Sequence, residues 1–120
     1  MAPLTNKEMS VKQETEIAKL YNGKRSPSSG AQPHDRGDVR YTVKAPGEWP
    51  DIYESYNFTG ECKATRTKSM TIRKETWEKI AEEADEQGRR PCMFIRFLDQ
   101  HTGRKIDLVI RSVEDDREMF

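Results

Sequence analysis

The stretch Asn57-Phe58-Thr59-Gly60-Glu61-Cys62-Lys63 alternates with period two: Phe58, Gly60 and Cys62 share one face, and Thr59, Glu61 and Lys63 the other. That pattern predicts a strand that sends a carboxylate and an ammonium group, two residues apart, out of the same side. Asp38-Val39-Arg40-Tyr41-Thr42-Val43 repeats the alternation, with Val39, Tyr41 and Val43 on one face. Consecutive strands usually pair, which brings Asp38 within reach of Glu61.

Outward from these two strands, the chain reads as helix, strands, helix, strands. Ser10 and Gln13 have the spacing of a capping box, and a helix is expected from Val11 to Asn22 with Gly23 as its stop. Ile17, Ala18 and Tyr21 form its apolar stripe, and helical spacing places Glu14 on that same stripe. An inward carboxylate is costly unless a cation meets it. Residues 26–33 carry turn and loop chemistry, and Ala45 to Tyr56 reads as irregular. Trp49, Tyr53 and Tyr56 in that segment are expected to make packing or dimer contacts. A second helix is expected over Arg73 to Gln87, with Trp77, Ile80, Ala81 and Ala84 inward and Trp77 in the core. Cys92 to Leu98 is apolar on both faces except at Arg96, as in a central strand. Ile106, Leu108 and Ile110 alternate as a last strand. The fold class is α/β, a mixed sheet with helices packed on it.

The chain has 120 residues, of which 35% are charged and 33% hydrophobic, so it forms one small domain with a thin core. Leu, Ile, Val and Phe total 20 residues. That is below the roughly 20% at which disorder is suspected, but disorder also requires a large net charge, and here 21 basic residues cancel 21 acidic ones. A thin core is most easily supported by a partner subunit. No apolar run reaches membrane-spanning length and no apolar signal core opens the chain, so a membrane span and secretion are not expected, and the cytoplasm is the expected compartment. Residues 1–9 read as a flexible arm, 10–112 as the domain, and 113–120 as an acidic tail. Cys62 and Cys92 do not form a zinc-type pair.

Glu14, Asp38, Glu61 and Lys63 are the candidate catalytic residues. Clustered carboxylates repel one another, and a divalent cation relieves the repulsion; hard oxygen donors favour Mg²⁺, with Mn²⁺ as the alternative. Asp38 and Glu61 would hold the metal, Glu14 would assist, and the Cys62 carbonyl could complete the coordination. Such a cation polarises a phosphoryl oxygen and acidifies a bound water, while Lys63 could orient that water. Five cations and no acid lie between Lys63 and Lys74. Arg66, Lys68, Arg73 and Lys74 are therefore expected to contact DNA through its phosphates.

Asp38 followed by Glu61-Cys62-Lys63 resembles the active-site motif of the PD-(D/E)xK nuclease superfamily. Further matching features are Glu14, Arg25-Ser26-Pro27-Ser28-Ser29-Gly30, Gly37-Asp38-Val39, Lys74-Glu75-Thr76-Trp77 and Phe94-Ile95-Arg96-Phe97. Their order looks like that of the small archaeal-type Holliday junction resolvases and their phage relatives, over roughly Ser10 to Ile110. The resemblance implies a restriction-endonuclease-like fold, a mixed central sheet flanked by helices. It also implies a homodimer and an Mg²⁺-dependent, structure-selective endonuclease acting on branched DNA in recombination or repair, in a bacterial, archaeal or phage-infected cell. Arg25 matches a phosphate-contacting arginine and Ser29 the loop serine near the junction. The longer segment between Asp38 and Glu61 and the absent net positive charge depart from the pattern. They leave open a related nuclease acting on flaps, nicks or duplex ends, and a non-catalytic DNA-binding protein on the same scaffold.

Overall fold

The computed structural model describes residues 4–26 and 38–120. Helix α1 spans Asn6–Leu20, with Thr5 as its N-cap, so it begins five residues before the expected start. The Thr5 hydroxyl accepts the Glu8 backbone N–H at 3.1 Å, and it bonds the Glu8 carboxylate at 2.9 Å. Thr5 and Glu8 thus hold the N-cap and N3 positions expected of Ser10 and Gln13, joined through the Thr5 hydroxyl. Residues 6–9, expected in a flexible arm, are helical, and Met9 is buried. Gly23 follows α1 where the chain crosses β2: a Cβ there would lie 2.4 Å from the Arg40 carbonyl oxygen.

Five strands form one sheet in the order β1 (Lys24–Arg25), β2 (Val39–Pro46), β3 (Tyr53–Thr65), β4 (Arg90–Leu98), β5 (Lys105–Ile110). All neighbours run antiparallel except β3 and β4, which are parallel. Helix α2 (Lys74–Glu86) makes the crossover that a parallel pair requires. Helix α3 (Val113–Met119) closes the chain. The expected mixed sheet flanked by helices is present. Among the described residues no helix is long and apolar enough to cross a membrane.

Residues 45–56 are not irregular. Strands β2 and β3 continue as a hairpin to the Pro46–Tyr53 pair, and Gly47 N donates to the Ile52 carbonyl at 2.7 Å. Pro46 is tolerated because it occupies the last position of its strand. Asp51, at φ 65°, turns the chain. Tyr56 is buried and its hydroxyl donates to Glu54 at 2.8 Å. Trp49 and Tyr53 remain 67% and 65% exposed at the tip.

The sheet buries two apolar layers. On the α1 side, Ile17 and Ala18 meet Val39, Tyr41, Phe58, Cys92 and Phe94. On the α2 side, Ile80 meets Met93 and Ile95, while Trp77, expected in the core, is only partly buried against them. The acidic tail is a helix. Ser112 caps α3 by accepting the Asp115 N–H, Met119 is buried in the first layer, and Asp115 and Glu118 pair with Arg90. Asp115 and Glu118 with Arg90, and Asp116 with Arg111, are therefore paired within the chain itself.

Gly60 lies in β3 beneath the α1 layer, where a Cβ would sit 2.4 Å from the Phe94 Cε2 and 3.0 Å from the Cys92 sulfur. Both neighbours are buried and cannot retreat freely. Gly60→Ala is expected to destabilise the fold by about 1–3 kcal/mol through overpacking, read as a lower midpoint in chemical denaturation. An unchanged midpoint would show that Phe94 can move aside.

Candidate active site

The register Val39↔Gly60 places Asp38 opposite Glu61 at the mouth of the β2–β3 pair. The Asp38 backbone is held from both sides: its N–H donates to Gly60 O at 3.0 Å, and its carbonyl accepts Ser26 N–H at 3.0 Å. Its carboxylate bends over β3, where Oδ2 accepts the Cys62 N–H at 2.7 Å. Asp38 therefore reaches the backbone midway between Glu61 and Lys63. Glu61 is half-buried and Lys63 exposed on the side of the sheet that α2 covers.

Glu14 approaches from α1. It is buried, as the helical stripe predicts, and the cation that meets it is Arg25, with Nε 3.6 Å from Oε1. Its neighbour Gln13 has a role that the sequence reading missed. Gln13 is fully buried, and its amide nitrogen donates to the carbonyls of Lys63 at 3.0 Å and Phe94 at 3.1 Å. One side chain thus ties α1 to both central strands beside Lys63. The available signal was spacing: Met9, Gln13 and Ile17 recur every four residues, which puts a polar group on the apolar stripe. Gln13→Leu removes both of these buried hydrogen bonds and is expected to cost about 1–3 kcal/mol. Gln13→Glu, which replaces the donor with a carboxylate, should cost at least as much. Denaturation curves equal to wild type for both variants would remove Gln13 as the tie.

Electrostatically, the three carboxylates share one problem. Burial pushes Glu61 up to about 7, the nearby Asp38 charge adds to the rise, and Lys63 opposes it. Burial also raises Asp38, against the Cys62 N–H and the Lys63 and Arg25 charges. Glu14 is raised by burial and then by Asp38, with Arg25 pulling the other way. The Cys62 thiol is pushed well up, first by burial and then by the Asp38 charge.

These shifts carry a sign for stability. Carboxylates raised in the folded state bind protons more tightly than the unfolded chain does, so their contribution is full below the unfolded value near 4.5. It is lost as pH rises through about 7 for Glu61. The metal-free protein should therefore melt at a higher temperature at mildly acidic pH than at mildly alkaline pH, the Glu61 contribution being on the order of 1–2 kcal/mol after solvent screening. Asp38→Asn should flatten that slope. A wild-type melting temperature that rises with pH across this window would contradict the arrangement.

Among the described residues, no three His, Cys, Asp or Glu side chains form a ready-made metal cage. The residues nonetheless fit a hard cation that keeps most of its waters. Mg²⁺ is typically held by one or two carboxylates, which Asp38 and Glu61 would supply. Glu14, held by Arg25, stands one step back.

The expected DNA contacts divide. Arg66 donates to Asn6 Oδ1 at 3.1 Å and to the Leu4 carbonyl, so it anchors the start of α1. Lys74 pairs with Glu78 on its own helix at 3.5 Å, in the open. Arg73 occupies the N-cap of α2 without a side-chain capping bond, and Lys68 is exposed beyond β3. Ser29 lies outside the described residues. No family model, no curated protein and no solved structure matches this chain, so its site is read from its own geometry.

Proposed function

We propose that the chain is a divalent-metal-dependent endonuclease acting on branched DNA, in the manner of a Holliday junction resolvase. The observation that carries this reading is the meeting of Asp38, Glu61 and Lys63 at one strand pair, with Glu14 behind them. A solvated strand face does not need its carboxylates partly buried beside one another, and doing so without compensation is costly. A bound Mg²⁺ would offset the repulsion, draw charge from a phosphoryl oxygen and acidify a water.

The chain's own residues then have separable tasks. Cys62 N–H fixes the Asp38 carboxylate by one oxygen, Oδ2. Lys63 holds the attacking water or balances charge on the five-coordinate phosphorus. Arg25 exchanges its Glu14 partner for the scissile phosphate, to which a guanidinium can bond with two nitrogens. A homodimer belongs to the same proposal, because a four-way junction requires two symmetric incisions and a twofold dimer has two identical sites. The exposed Trp49, Ile52 and Tyr53 at the hairpin tip offer apolar surface for a second copy.

The test is a panel of labelled four-way junction, flap, nicked and blunt duplex substrates at one salt concentration with Mg²⁺, alongside Asp38→Ala and Glu61→Ala. Junction cleavage by wild type alone supports the reading. Preferential cleavage of flaps or duplex ends would replace the resolvase with a related nuclease, and equal results in all three proteins would dismiss a nuclease altogether. A solution mass of a strict monomer would remove paired incision.

A further inference from the structure

Three residues past Lys63, the chain begins to line a second concavity. It has a volume of about 700 Å³ and lies where the end of β3 meets the turn between β4 and β5. Phe97 and Ile106, directly paired across β4 and β5, supply an apolar floor. Ile106 is 61% exposed there, an unusual position for an isoleucine with no partner over it. Lys68, His101 and Arg104 stand on the rim with Arg66. No carboxylate among the described residues forms an ion pair with Lys68 or Arg104. The one acid in the lining, Asp99, is committed to its own turn: its carboxylate accepts His101 N–H at 2.9 Å and Thr102 N–H at 3.4 Å, and these bonds hold it below the usual aspartate range.

We propose that this cavity receives an unpaired nucleotide of the DNA strand, with the base on the Phe97–Ile106 floor and the flanking phosphates at Lys68 and Arg104. The volume falls within the range of small-ligand sites, roughly 300–1,000 Å³. An open apolar floor beside uncompensated cations suits a ligand that is flat and apolar on one side and anionic on the other. Single-stranded nucleic acid has that character, and each base laid on an apolar or aromatic side chain contributes about 1–3 kcal/mol. Paired, stacked duplex bases present no such face. The inference rests on the nuclease reading for its substrate, and it adds a physical basis for preferring DNA with a single-stranded segment, or a junction whose crossover nucleotide is opened, over continuous duplex. The cavity begins at Arg66, just past the end of the strand that carries Glu61 and Lys63.

The experiment separates this proposal from the cleavage chemistry by running without metal. Fluorescence anisotropy in EDTA compares an oligothymidylate of about twelve nucleotides, an abasic strand of equal length, and a blunt duplex. The proteins are wild type, Ile106→Ser and Arg104→Glu, two exposed positions whose folding is checked by melting. Wild type is expected to bind the oligothymidylate more tightly than the abasic strand. Ile106→Ser should weaken the oligothymidylate about fivefold or more and erase that preference, with a smaller effect on duplex. Arg104→Glu should weaken both single strands about tenfold or more. Equal binding of thymidylate and abasic strands by wild type, or an Ile106→Ser protein indistinguishable from wild type, would overturn the cavity's assignment. Either result would leave Mg²⁺-dependent cleavage to be judged separately, whereas loss of cleavage with these binding preferences intact would leave the cavity standing.

Discussion

Asp38→Asn is expected to lower Mg²⁺-dependent cleavage on the order of 10³-fold or more while leaving the fold intact. Asparagine keeps the size of the side chain and an oxygen able to accept the Cys62 N–H, so the 2.7 Å bond that seats residue 38 need not be lost. What disappears is one negative charge. Glu61 and Glu14, both raised in part by Asp38, should relax toward ordinary values. The metal-free variant is therefore expected to be as stable as wild type or more stable at alkaline pH, which distinguishes lost chemistry from lost structure. Lys63→Met supplies the complementary result, with divalent cations still bound and cleavage down by about 10²–10⁴-fold. If Asp38→Asn cleaves at the wild-type rate, the carboxylate has no part in catalysis. If Lys63→Met loses metal affinity along with activity, the division of tasks between the two residues is wrong.

The second large effect concerns stability. Arg96 is the one charge between Cys92 and Leu98 of β4 and only 3% exposed. Its guanidinium forks onto Asp107 of β5, with Nε to Oδ1 at 2.7 Å and Nη2 to Oδ2 at 3.0 Å, and reaches Glu16 of α1 at 3.4 Å. Lys105 also pairs with Glu16. A single buried cation thus ties the sheet edge to the helix that carries Glu14. Arg96→Met would strand Asp107 and leave Glu16 with Lys105 alone. Removing one partner of a buried pair typically costs about 3–5 kcal/mol; because Asp107 and Glu16 keep contact with water, about 2–4 is expected here. Arg96→Met combined with Asp107→Leu should recover much of that loss, because the stranded Asp107 carboxylate is gone and Glu16 keeps Lys105. Urea denaturation decides it, and a single variant within about 0.5 kcal/mol of wild type would show the network to be ornamental to stability.

How far the sequence could be read depended on whether the signal was local. Asp38, Glu61 and Lys63 were legible because a period-two pattern fixes which side chains share a face, and a short list of consecutive strands fixes which pair. Glu14 was legible for the same reason at helical spacing. Gln13 was not, since its partners are carbonyls of Lys63 and Phe94, far away in the chain, while a closer and incorrect partner, Ser10, matched a capping pattern. Arg96 stood out as an interruption, yet only the β4–β5 register pairs it with Asp107. The hairpin beyond Val43 was hidden by Pro46, Gly47 and Pro50, whose turn chemistry outweighed the alternation resuming at Tyr53. In α3, four acids masked the one apolar residue, Met119, that docks the segment.

Titration of the protein with Mn²⁺ by calorimetry tests the central claim most directly, because it requires no guess about which DNA is cut. Binding by wild type that is lost in Asp38→Asn and Glu61→Gln but kept in Lys63→Met is the result predicted. Absence of binding by wild type, or binding that survives in both carboxylate variants, would contradict it.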